Sequence, residues 1–490
     1  MHQPPYDLVL RRGILIDGTG APAIQADLGI RADRIAAIGD LGAAAARRTL
    51  DIAGLVLAPG FIDVHTHDDA ALIARPEMAP KLTQGVTTVI AGNCGISAAP
   101  YGARGNPPDL MRLIFKTDRF VAPTFADYTK RVSEASPACN AAFLTGHTTL
   151  RMQVMGAHLD RTASPAEIVE MQRLLTACLK AGSFGFSTGL FYPPARAAST
   201  REVIDVARAL GEYQGVYTTH MRDEGDNVME SLRETLQIGA ALGTRVIVSH
   251  HKCMGQKNFG RSVETLALLT HARRSQDVAL DVYPYTAAST VLNAEMMSQS
   301  IRTVITWCDP YPQYCGRDLA QIAAEMNCTP LEVIPKLLPA GALYFTMDEN
   351  DVTRIMRYSG AMIGSDGLPE DKHPHPRLWG TFPRVLGHYV RERHVLELED
   401  AVHRMTGLSA AQFNLKERGT LREGYFADLC IFDPSTVLDK ATFAHPTEPA
   451  AGIAYVFVNG RMALEDGRLT PVRAGKVLLR ETSVASERAP

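Results

Sequence analysis

Short apolar runs that end in turn residues fill the start of the chain and return near its other end. The N-terminal runs, each closing on Gly or Asp-Gly, are YDLVLRRGILIDGTG, DLGIRADRIAAIGD and RRTLDIAGLVLAPG. This pattern predicts strands joined by turns. ADLCIFDP and IAYVFVNGRMALEDGR repeat it, and Asn459-Gly460 is a strong two-residue hairpin signal. Because two β segments can pair across an inserted middle, we predict one small β-sandwich domain from residues 6–58 and 418–480.

The middle of the chain alternates short apolar runs with longer amphipathic or Ala/Leu-rich stretches such as SPAEIVEMQRLLTACLKAG. The eight candidate strands are GFIDVHTH, GVTTVIAGNCG, AAFLTGH, GSFGFSTGL, GVYTTHMR, RVIVSHHK, ALDVYPYT and AMIGSDG. Strand and helix repeated eight times predict an α/β fold, a TIM (β/α)8 barrel over residues 59–417. An open doubly wound sheet would normally show a Gly-rich nucleotide loop after an early strand, and the sequence has none.

Residues 287–346 break this alternation. They carry Trp307, three cysteines and several prolines and tyrosines. We interpret them as an insertion after the seventh strand. Insertions at the C-terminal ends of barrel strands lie over the active site, so we expect a lid or a substrate-binding role. A packing segment without a part in chemistry is the alternative.

Composition narrows the classes of partner. Fifty Lys and Arg against 53 Asp and Glu give a formal net charge of −3, so no overall basic field attracts nucleic acid or an anionic membrane. No apolar run approaches the roughly 20 residues that span a bilayer, and Arg11 and Arg12 interrupt the start of the chain before a signal sequence could form. Eight cysteines without a C-x-x-C pair predict reduced thiols. We expect a cytoplasmic protein without nucleic-acid or membrane partners, and the oligomeric state stays open.

Good metal ligands fall at the ends of the predicted barrel strands. They are His65, His67, Cys94, His220, His250 and Asp366. A lone cysteine is usually a small buried hydrophobe, but six such residues at the rim where barrel active sites form predict a metal centre. Thiolate, imidazole and carboxylate suit zinc. Cys94 could bridge two ions, one shared with His65, His67 and Asp366 and one with His220 and His250.

The run GFIDVHTH with the late His, His and Asp resembles the amidohydrolase superfamily. Within it, the chain is similar to the D-aminoacylases, the N-acyl-D-amino-acid deacylases, in GNCG, SHHK, DVYPYTAAST, IGSDGLPEDKHPHPRLWGTFPRVLG and GYFADLCIFDP. The resemblance covers nearly the whole chain. It implies a TIM barrel with a small β-sandwich built from both termini, and zinc-dependent hydrolysis of the linear amide of N-acyl-D-amino acids. It also implies that Cys94 stands where many superfamily members use a carboxylated lysine.

The resemblance implies roles for further residues. It assigns a tightly held zinc to Cys94, His220 and His250, and a weaker site to His65, His67 and Asp366. It implies that the substrate carboxylate is recognised by Lys252, Tyr283, Ser289 and Arg377. Two cations beside two hydroxyls suit a fixed carboxylate. Zinc would polarise the acyl carbonyl and lower the pKa of a water toward ~7, and we predict Asp366 as the general base that later protonates the leaving amine.

Side-chain preference rests on a departure from the family pattern. Apolar-preferring relatives line this pocket with residues that match Phe191, Tyr344 and Met347, but Ser298 replaces an aliphatic residue. Polar lining leaves room for an acidic side chain, with Arg302 or Lys257 as the partner of a second carboxylate. We therefore favour N-acyl-D-glutamate or a similar acidic substrate.

Two other functions remain as alternatives. A cyclic-amide amidohydrolase of the hydantoinase or dihydropyrimidinase type would normally carry a bridging lysine on the fourth strand, where GFSTGLFY has none. A noncatalytic amidohydrolase-like scaffold would have lost its metal ligands, which this chain retains. His147, His373 and His375 lie near the predicted rim, and we assign them hydrogen bonding instead of metal binding.

Overall fold

The computed structural model describes residues 5–103, 107–117 and 122–481. Its centre is a ring of parallel strands: Phe61–Asp63, Val86–Ala91, Asn140–Phe143, Gly185–Gly189, Val216–His220, Val246–Val248, Val278–Val282 and Ala361–Ile363. Neighbours pair in parallel, and the third strand reaches the fourth through the extension Thr145–Gly146. The ring closes where Thr66 pairs with Gly367 and the Asp366 amide donates to the His65 carbonyl at 2.7 Å. The predicted TIM barrel is confirmed.

The barrel strands are buried on both faces, as parallel strands covered by helices should be. Inward-facing residues, among them Ile62, Ile90, Ile247 and Met362, form one apolar cluster inside the barrel. Their neighbours in sequence pack outward against the helices in a larger cluster. The period-two alternation of the strands therefore divides the barrel core into two layers.

Helices surround the ring. The α-helices are Ala71–Ala74, Ala79–Leu82, Phe125–Ala135, His147–Met155, Pro165–Lys180, Pro193–Arg196, Thr200–Val206, Val228–Leu242, Ser262–Ala272, Ala294–Ser298, Leu319–Glu325, Pro330–Leu337, Glu349–Arg357, Arg377–Arg384, Leu398–Met405 and Gly407–Gln412. Short 3₁₀ helices lie at Asp109–Leu113, Arg208–Leu210, Gln256–Asn258 and Pro312–Tyr314, and Val385–Glu392 is a π-helix. Within the described ranges, no helix combines the length and the apolar character needed to cross a membrane.

Both ends of the chain build a second sheet of nine strands. The strands are Tyr6–Leu15, Ile24–Arg31, Arg34–Gly39, Ala46–Asp51, Val56–Pro59, Leu429–Phe432, Ile453–Val458, Arg461–Glu465 and Arg468–Leu469. Val56–Pro59 pairs antiparallel with Leu429–Phe432 and so joins the two halves. One apolar cluster contains residues from both halves, including Leu28 and Phe457. The boundaries at 58/59 and 417/418 stay a prediction, and Val477 near the C-terminal end pairs with Ala141 of the barrel.

The segment after the seventh barrel strand has its own sheet. Ala287–Val291 and Thr303–Cys308 each pair antiparallel with Ala340–Phe345 between them. Three of the helices, Ala294–Ser298, Leu319–Glu325 and Pro330–Leu337, lie within the segment. The Tyr192 hydroxyl, beyond the fourth barrel strand, lies 3.0 Å from the Thr290 hydroxyl of this sheet. The insertion therefore contacts the C-terminal mouth of the barrel.

Candidate active site

The predicted metal ligands converge at the C-terminal mouth of the barrel. The Cys94 Sγ lies 3.2 Å from His65 Nε2 and 3.3 Å from His250 Nε2. Asp366 Oδ1 lies 3.1 Å from His67 Nε2. The ring centroids of His220 and His250 are 4.5 Å apart. All six side chains are buried, so the structure brings together the whole set that the sequence indicated.

Most of these side chains stand on turns just beyond the strands. The first barrel strand ends at Asp63, so His65 and His67 follow it instead of lying within it, and only His220 still belongs to a strand. Cys94, His250 and Asp366 have φ angles of 53°, 36° and 49°. Non-glycine residues in this left-handed region are strained by about 1–3 kcal/mol each and concentrate at functional sites. The strained turns direct the ligand side chains over the barrel axis.

Gly189 shows how closely the turn at Cys94 packs. A Cβ atom at this position would collide with the Cys94 carbonyl oxygen. The backbone of the fourth strand therefore lies directly against the backbone of the turn. A residue without a side chain permits this approach and holds Cys94 in place.

The chemistry of the side chains fits a metal ion. Both ring nitrogens of His220 and Nδ1 of His67 are buried without a hydrogen-bond partner among the described residues. Buried polar atoms are normally paired, and coordination to a metal would pair these nitrogens. The potential ligand atoms form two groups, and within each group all the atoms lie within 4.8 Å of one another. The groups are His65, Cys94, His250 and Asp366, and His220, Glu224 and His250.

The electrostatics of Cys94 favour a thiolate. Burial by itself would raise the pKa of the thiol, but the neighbouring His65 and His250 imidazoles hold that pKa well below its ordinary value. A thiolate is the form that binds zinc. The other buried thiols that show a shift, such as Cys139 and Cys430, have a raised pKa because burial dominates there.

Glu224 is a site residue that the sequence analysis missed. Its buried carboxylate lies 3.1 Å from His250 Nδ1 and 3.5 Å from His220 Nε2, and it accepts two hydrogen bonds of 2.8 Å from Lys252 Nζ. Burial opposes ionisation, but Lys252 and the two histidines hold the pKa of Glu224 far below its usual range. Its place four residues after a strand-ending histidine was the available signal.

Asp281 is the second missed residue. It lies on the seventh barrel strand, accepts a 2.9 Å hydrogen bond from the His250 amide, and lies 3.2 Å from His65 Nδ1. A carboxylate on one ring nitrogen directs the other nitrogen toward a metal. Asp281 thus orients two ligand residues from beneath, a role that becomes visible only when the strands are arranged side by side.

The four residues implied in carboxylate recognition also meet at the mouth. Arg377 Nη1 lies 2.9 Å from Asp366 Oδ2, its Nη2 donates to the Ser289 carbonyl at 3.3 Å, and its guanidinium carbon lies 4.5 Å from the centroid of the Tyr283 ring. The Tyr283 and Ser289 hydroxyls and Arg377 Nε are buried without a partner among the described residues. These donors are available to a ligand, while Lys252 is neutralised by Glu224.

The residues implied in side-chain recognition do not all lie at the metal ligands. The Phe191 ring stacks 5.5 Å from that of His220, and Met347 lines a small cavity with His250 and Tyr283. The Tyr344 hydroxyl instead donates to the Val291 carbonyl at 3.0 Å, within the insertion. Ser298 is exposed, and its hydroxyl donates to the Glu295 carbonyl at 2.8 Å.

The two cations proposed to hold an acidic side chain both have carboxylate partners. Arg302 pairs with Asp318 at 2.9 Å, and Lys257 pairs with Asp226. The side chains of Arg302 and Lys257 are 54% and 71% exposed. Exposed pairs of this kind contribute about 0–1 kcal/mol, so either cation can exchange its partner at little cost.

The remaining rim histidines lie outside the groups of metal ligand atoms. His147 Nε2 lies 3.4 Å from Glu202, and His373 Nε2 lies 2.8 Å from the Phe443 carbonyl. His375 Nε2 lies 3.0 Å from the Ala287 carbonyl, and its Nδ1 accepts the Arg377 amide at 2.9 Å. His375 thereby links the start of the Arg377 helix to the insertion.

Comparison with known proteins places this geometry in a family. The sequence profile of the amidohydrolase family matches residues 48–283 and 345–463. A D-aminoacylase from Alcaligenes xylosoxydans xylosoxydans is 54% identical over 97% of this chain and 98% of its own length.

Two solved structures are similar throughout. One is a D-aminoacylase, from work on its binuclear metal centre that describes activation by one metal and attenuation by the second. It has a TM-score of 0.95 at 55% identity, covering 97% of this chain and 100% of that one. The other is an N-acyl-D-glutamate deacylase from Bordetella bronchiseptica complexed with zinc and a phosphonate that mimics the tetrahedral intermediate. Its TM-score is 0.93 at 45% identity, covering 98% of this chain and 100% of that one. With a family profile across most of its length and relatives this close, the chain belongs to the amidohydrolase family.

Proposed function

We propose that this protein uses zinc to hydrolyse the amide bond of N-acyl-D-amino acids, releasing a carboxylate and a free D-amino acid. The observation that carries the proposal is the meeting of Cys94, the unpartnered His220 imidazole and Asp366 with the open donors of Tyr283, Ser289 and Arg377. One group can hold a metal beside an acyl carbonyl, and the other can hold a carboxylate. The activities of the similar D-aminoacylase and N-acyl-D-glutamate deacylase support the same reaction.

The ligand atoms divide into two sites. We assign the tighter zinc to Cys94, His220 and His250, because Cys94 Sγ lies 3.3 Å from His250 Nε2 and both His220 nitrogens lack a hydrogen-bond partner among the described residues. His65, His67 and Asp366 form the weaker site, where Asp366 already pairs with Arg377. Zinc, when bound, supplies a Lewis acid for the carbonyl and lowers the pKa of a water.

Asp366 is the proposed general base. Burial opposes its ionisation, but Arg377 and His65 hold the pKa of its carboxyl well below the usual range. The group is therefore deprotonated at neutral pH and can accept a proton on Oδ1, the oxygen that faces His67. The same oxygen would then return the proton to the departing amine.

Arg377 can serve two partners. Nη1 lies at ion-pair distance from Asp366 Oδ2, while Nε is buried without a partner among the described residues. With the Tyr283 and Ser289 hydroxyls, Nε would receive the substrate carboxylate. The metal, the base and this carboxylate site fix three groups around the substrate Cα, which selects one hand.

The deciding experiment is a screen of N-acetyl-D- and N-acetyl-L-amino acids with added zinc, read as release of free amine. We expect turnover of D substrates only, and loss of turnover after chelation. Equal turnover of both hands would contradict the stereochemical assignment. Ring opening of a hydantoin without turnover of any N-acetyl-D-amino acid would assign the site to cyclic amides instead.

The preference for an acidic side chain is a separate prediction. It requires Arg302 or Lys257 to exchange its surface carboxylate for the substrate. We expect N-acetyl-D-glutamate to exceed N-acetyl-D-leucine in kcat/KM, and either Arg302→Met or Lys257→Met to raise KM for the glutamate derivative alone. Clear preference for the leucine derivative would contradict it.

A further inference from the structure

A groove at the barrel mouth has no part in the proposed binding of metal or carboxylate. It encloses about 410 Å³ between three segments. The walls come from the turn of 3₁₀ helix near Leu110, from the loop after the fourth barrel strand, and from the insertion near Leu292 and Leu338. Ligand cavities usually measure about 300–1,000 Å³, so the groove is large enough for part of a substrate.

Two residues of the groove contact a proposed metal ligand. Phe191 and Tyr192 form its inner wall, and their rings lie 5.5 Å and 4.9 Å from the ring of His220. The Tyr192 hydroxyl is held 3.0 Å from Thr290, next to Val291 on the groove wall. A group attached to a carbonyl at the metal could therefore pass over these two aromatic rings into the groove.

The proposed amino-acid side-chain pocket lies elsewhere. Met347 lines a different cavity, with His250 and Lys252, and neither Met347 nor Ser298 lines the groove. Phe191, which the resemblance implies in side-chain recognition, lines the groove but not that cavity. The groove and the cavity at Met347 share no lining residue, so the acyl group and the amino-acid side chain of a substrate have separate spaces available.

The groove is apolar inside and charged only at its edge. Leu110, Leu292 and Ala340 are buried apolar residues of its floor. Arg196 and Glu295 pair with each other at 2.8 Å with nearly half of each side chain exposed, and Asp109 is exposed. The floor is apolar and its charged residues stand at the edge, so the interior suits an elongated hydrocarbon.

We infer that this groove binds the acyl chain of the substrate, so that the enzyme prefers acyl groups longer than acetyl. The inference rests on the proposed deacylase function and extends it to a substrate class. Each methylene that leaves water contributes roughly fourfold in binding. Four added methylenes, as in hexanoyl against acetyl, should therefore raise kcat/KM by at least about tenfold even if they are only partly buried.

The test compares N-acetyl and N-hexanoyl derivatives of the same D-amino acid in the zinc-loaded full-length protein. Leu338 lines the groove and is 40% exposed, and Leu331 in the neighbouring helix is 59% exposed and outside it. Leu338→Asp places a charge in the groove, and Leu331→Asp is the matched control. We expect the hexanoyl-to-acetyl ratio of kcat/KM to exceed about ten in wild type and in Leu331→Asp, and to fall several-fold in Leu338→Asp.

The outcomes separate the two proposals. Turnover of the acetyl substrate with a hexanoyl ratio of one or less overturns the groove assignment and leaves the deacylase function standing. A ratio unaffected by Leu338→Asp places the chain elsewhere and overturns it as well. Absence of turnover of both substrates contradicts the proposed function. Product inhibition tests the groove in the wild-type protein. If the groove binds the released acyl chain, hexanoate must inhibit more strongly than acetate.

Discussion

The barrel holds a buried polar cluster at each end, and the two differ in how completely their side chains are hydrogen-bonded. At the N-terminal end, Asn140 opens the third barrel strand and meets Asp428, Arg418 and Asn459 of the chain's C-terminal part. Asp428 accepts from Asn140 Nδ2 at 3.1 Å and from the Asn459 amide at 2.7 Å, and it pairs with Arg418. Asn459 Nδ2 donates to Asn140 Oδ1 at 2.8 Å. No buried nitrogen or oxygen of these four side chains lacks a partner among the described residues.

The cluster at the mouth contains several buried polar atoms without a hydrogen-bond partner. Both nitrogens of His220 and the hydroxyls of Tyr283 and Ser289 lack hydrogen-bond partners in the described part of the chain. Left-handed backbone occurs at both ends, at Cys94, His250 and Asp366 here and at Asn459 in the N-terminal cluster.

Burial and charge are common to both ends of the barrel, so they do not mark a functional site. Buried atoms without hydrogen-bond partners next to possible metal ligands do, because buried polar atoms are normally paired and a bound ligand would pair these. The cluster at the N-terminal end, here called the base cluster, holds the two sheets together. The cluster of ligand and donor side chains at the mouth, the mouth cluster, is arranged for metal and substrate.

The largest effect is expected from Cys94→Ala, which removes the thiolate from the centre of the mouth cluster. We expect loss of the tightly bound zinc and turnover at background, because two imidazoles alone hold zinc weakly. Metal analysis and amine release measure both. Cys139→Ala, at a buried thiol outside the mouth, is the control and should keep zinc and activity. Wild-type zinc content in Cys94→Ala would contradict the assignment.

Asp366→Asn tests the base separately from the metal. The tighter ligands Cys94, His220 and His250 are untouched, so we expect zinc to remain and kcat to fall by about 10²–10⁴-fold. Steady-state kinetics with parallel metal analysis measure this. Near wild-type turnover with intact zinc would show that another group moves the proton.

Arg418→Met tests the other end of the barrel. It leaves Asp428 buried beside a neutral side chain, and breaking a buried pair in this way lowers the free energy of unfolding by about 3–5 kcal/mol. Urea unfolding measures the loss, and turnover per folded molecule should stay unchanged. Arg34→Met is the matched control, because Arg34 lies over the same Phe426 ring but is partly exposed and pairs with Glu417 at the surface. Its effect should stay within about 1 kcal/mol. Equal losses of unfolding free energy in the two variants would contradict the expected difference between the buried pair and the exposed pair.

Glu224→Gln should give the smallest effect of the four. The glutamine keeps the shape but loses the charge that faces His220, His250 and Lys252, so zinc affinity should fall by about 10–100-fold. Competition with a chelator measures it. Asp226→Asn, two residues along and exposed, should leave the affinity unchanged. An unaltered affinity in Glu224→Gln would exclude Glu224 from the support of the ligands.

The sequence by itself determined the eight barrel strands, the pairing of the two terminal β segments and the six ligand candidates. These follow from short-range patterns: apolar runs define strands, and a residue at the end of a parallel strand must lie at the mouth of the barrel. Only the tertiary structure decided which further groups meet there. Glu224 against Lys252, Arg377 against Asp366 and Asn140 against Asp428 join residues from separate elements. Burial makes such contacts strong, but no local periodicity records them, since each depends on how distant segments pack.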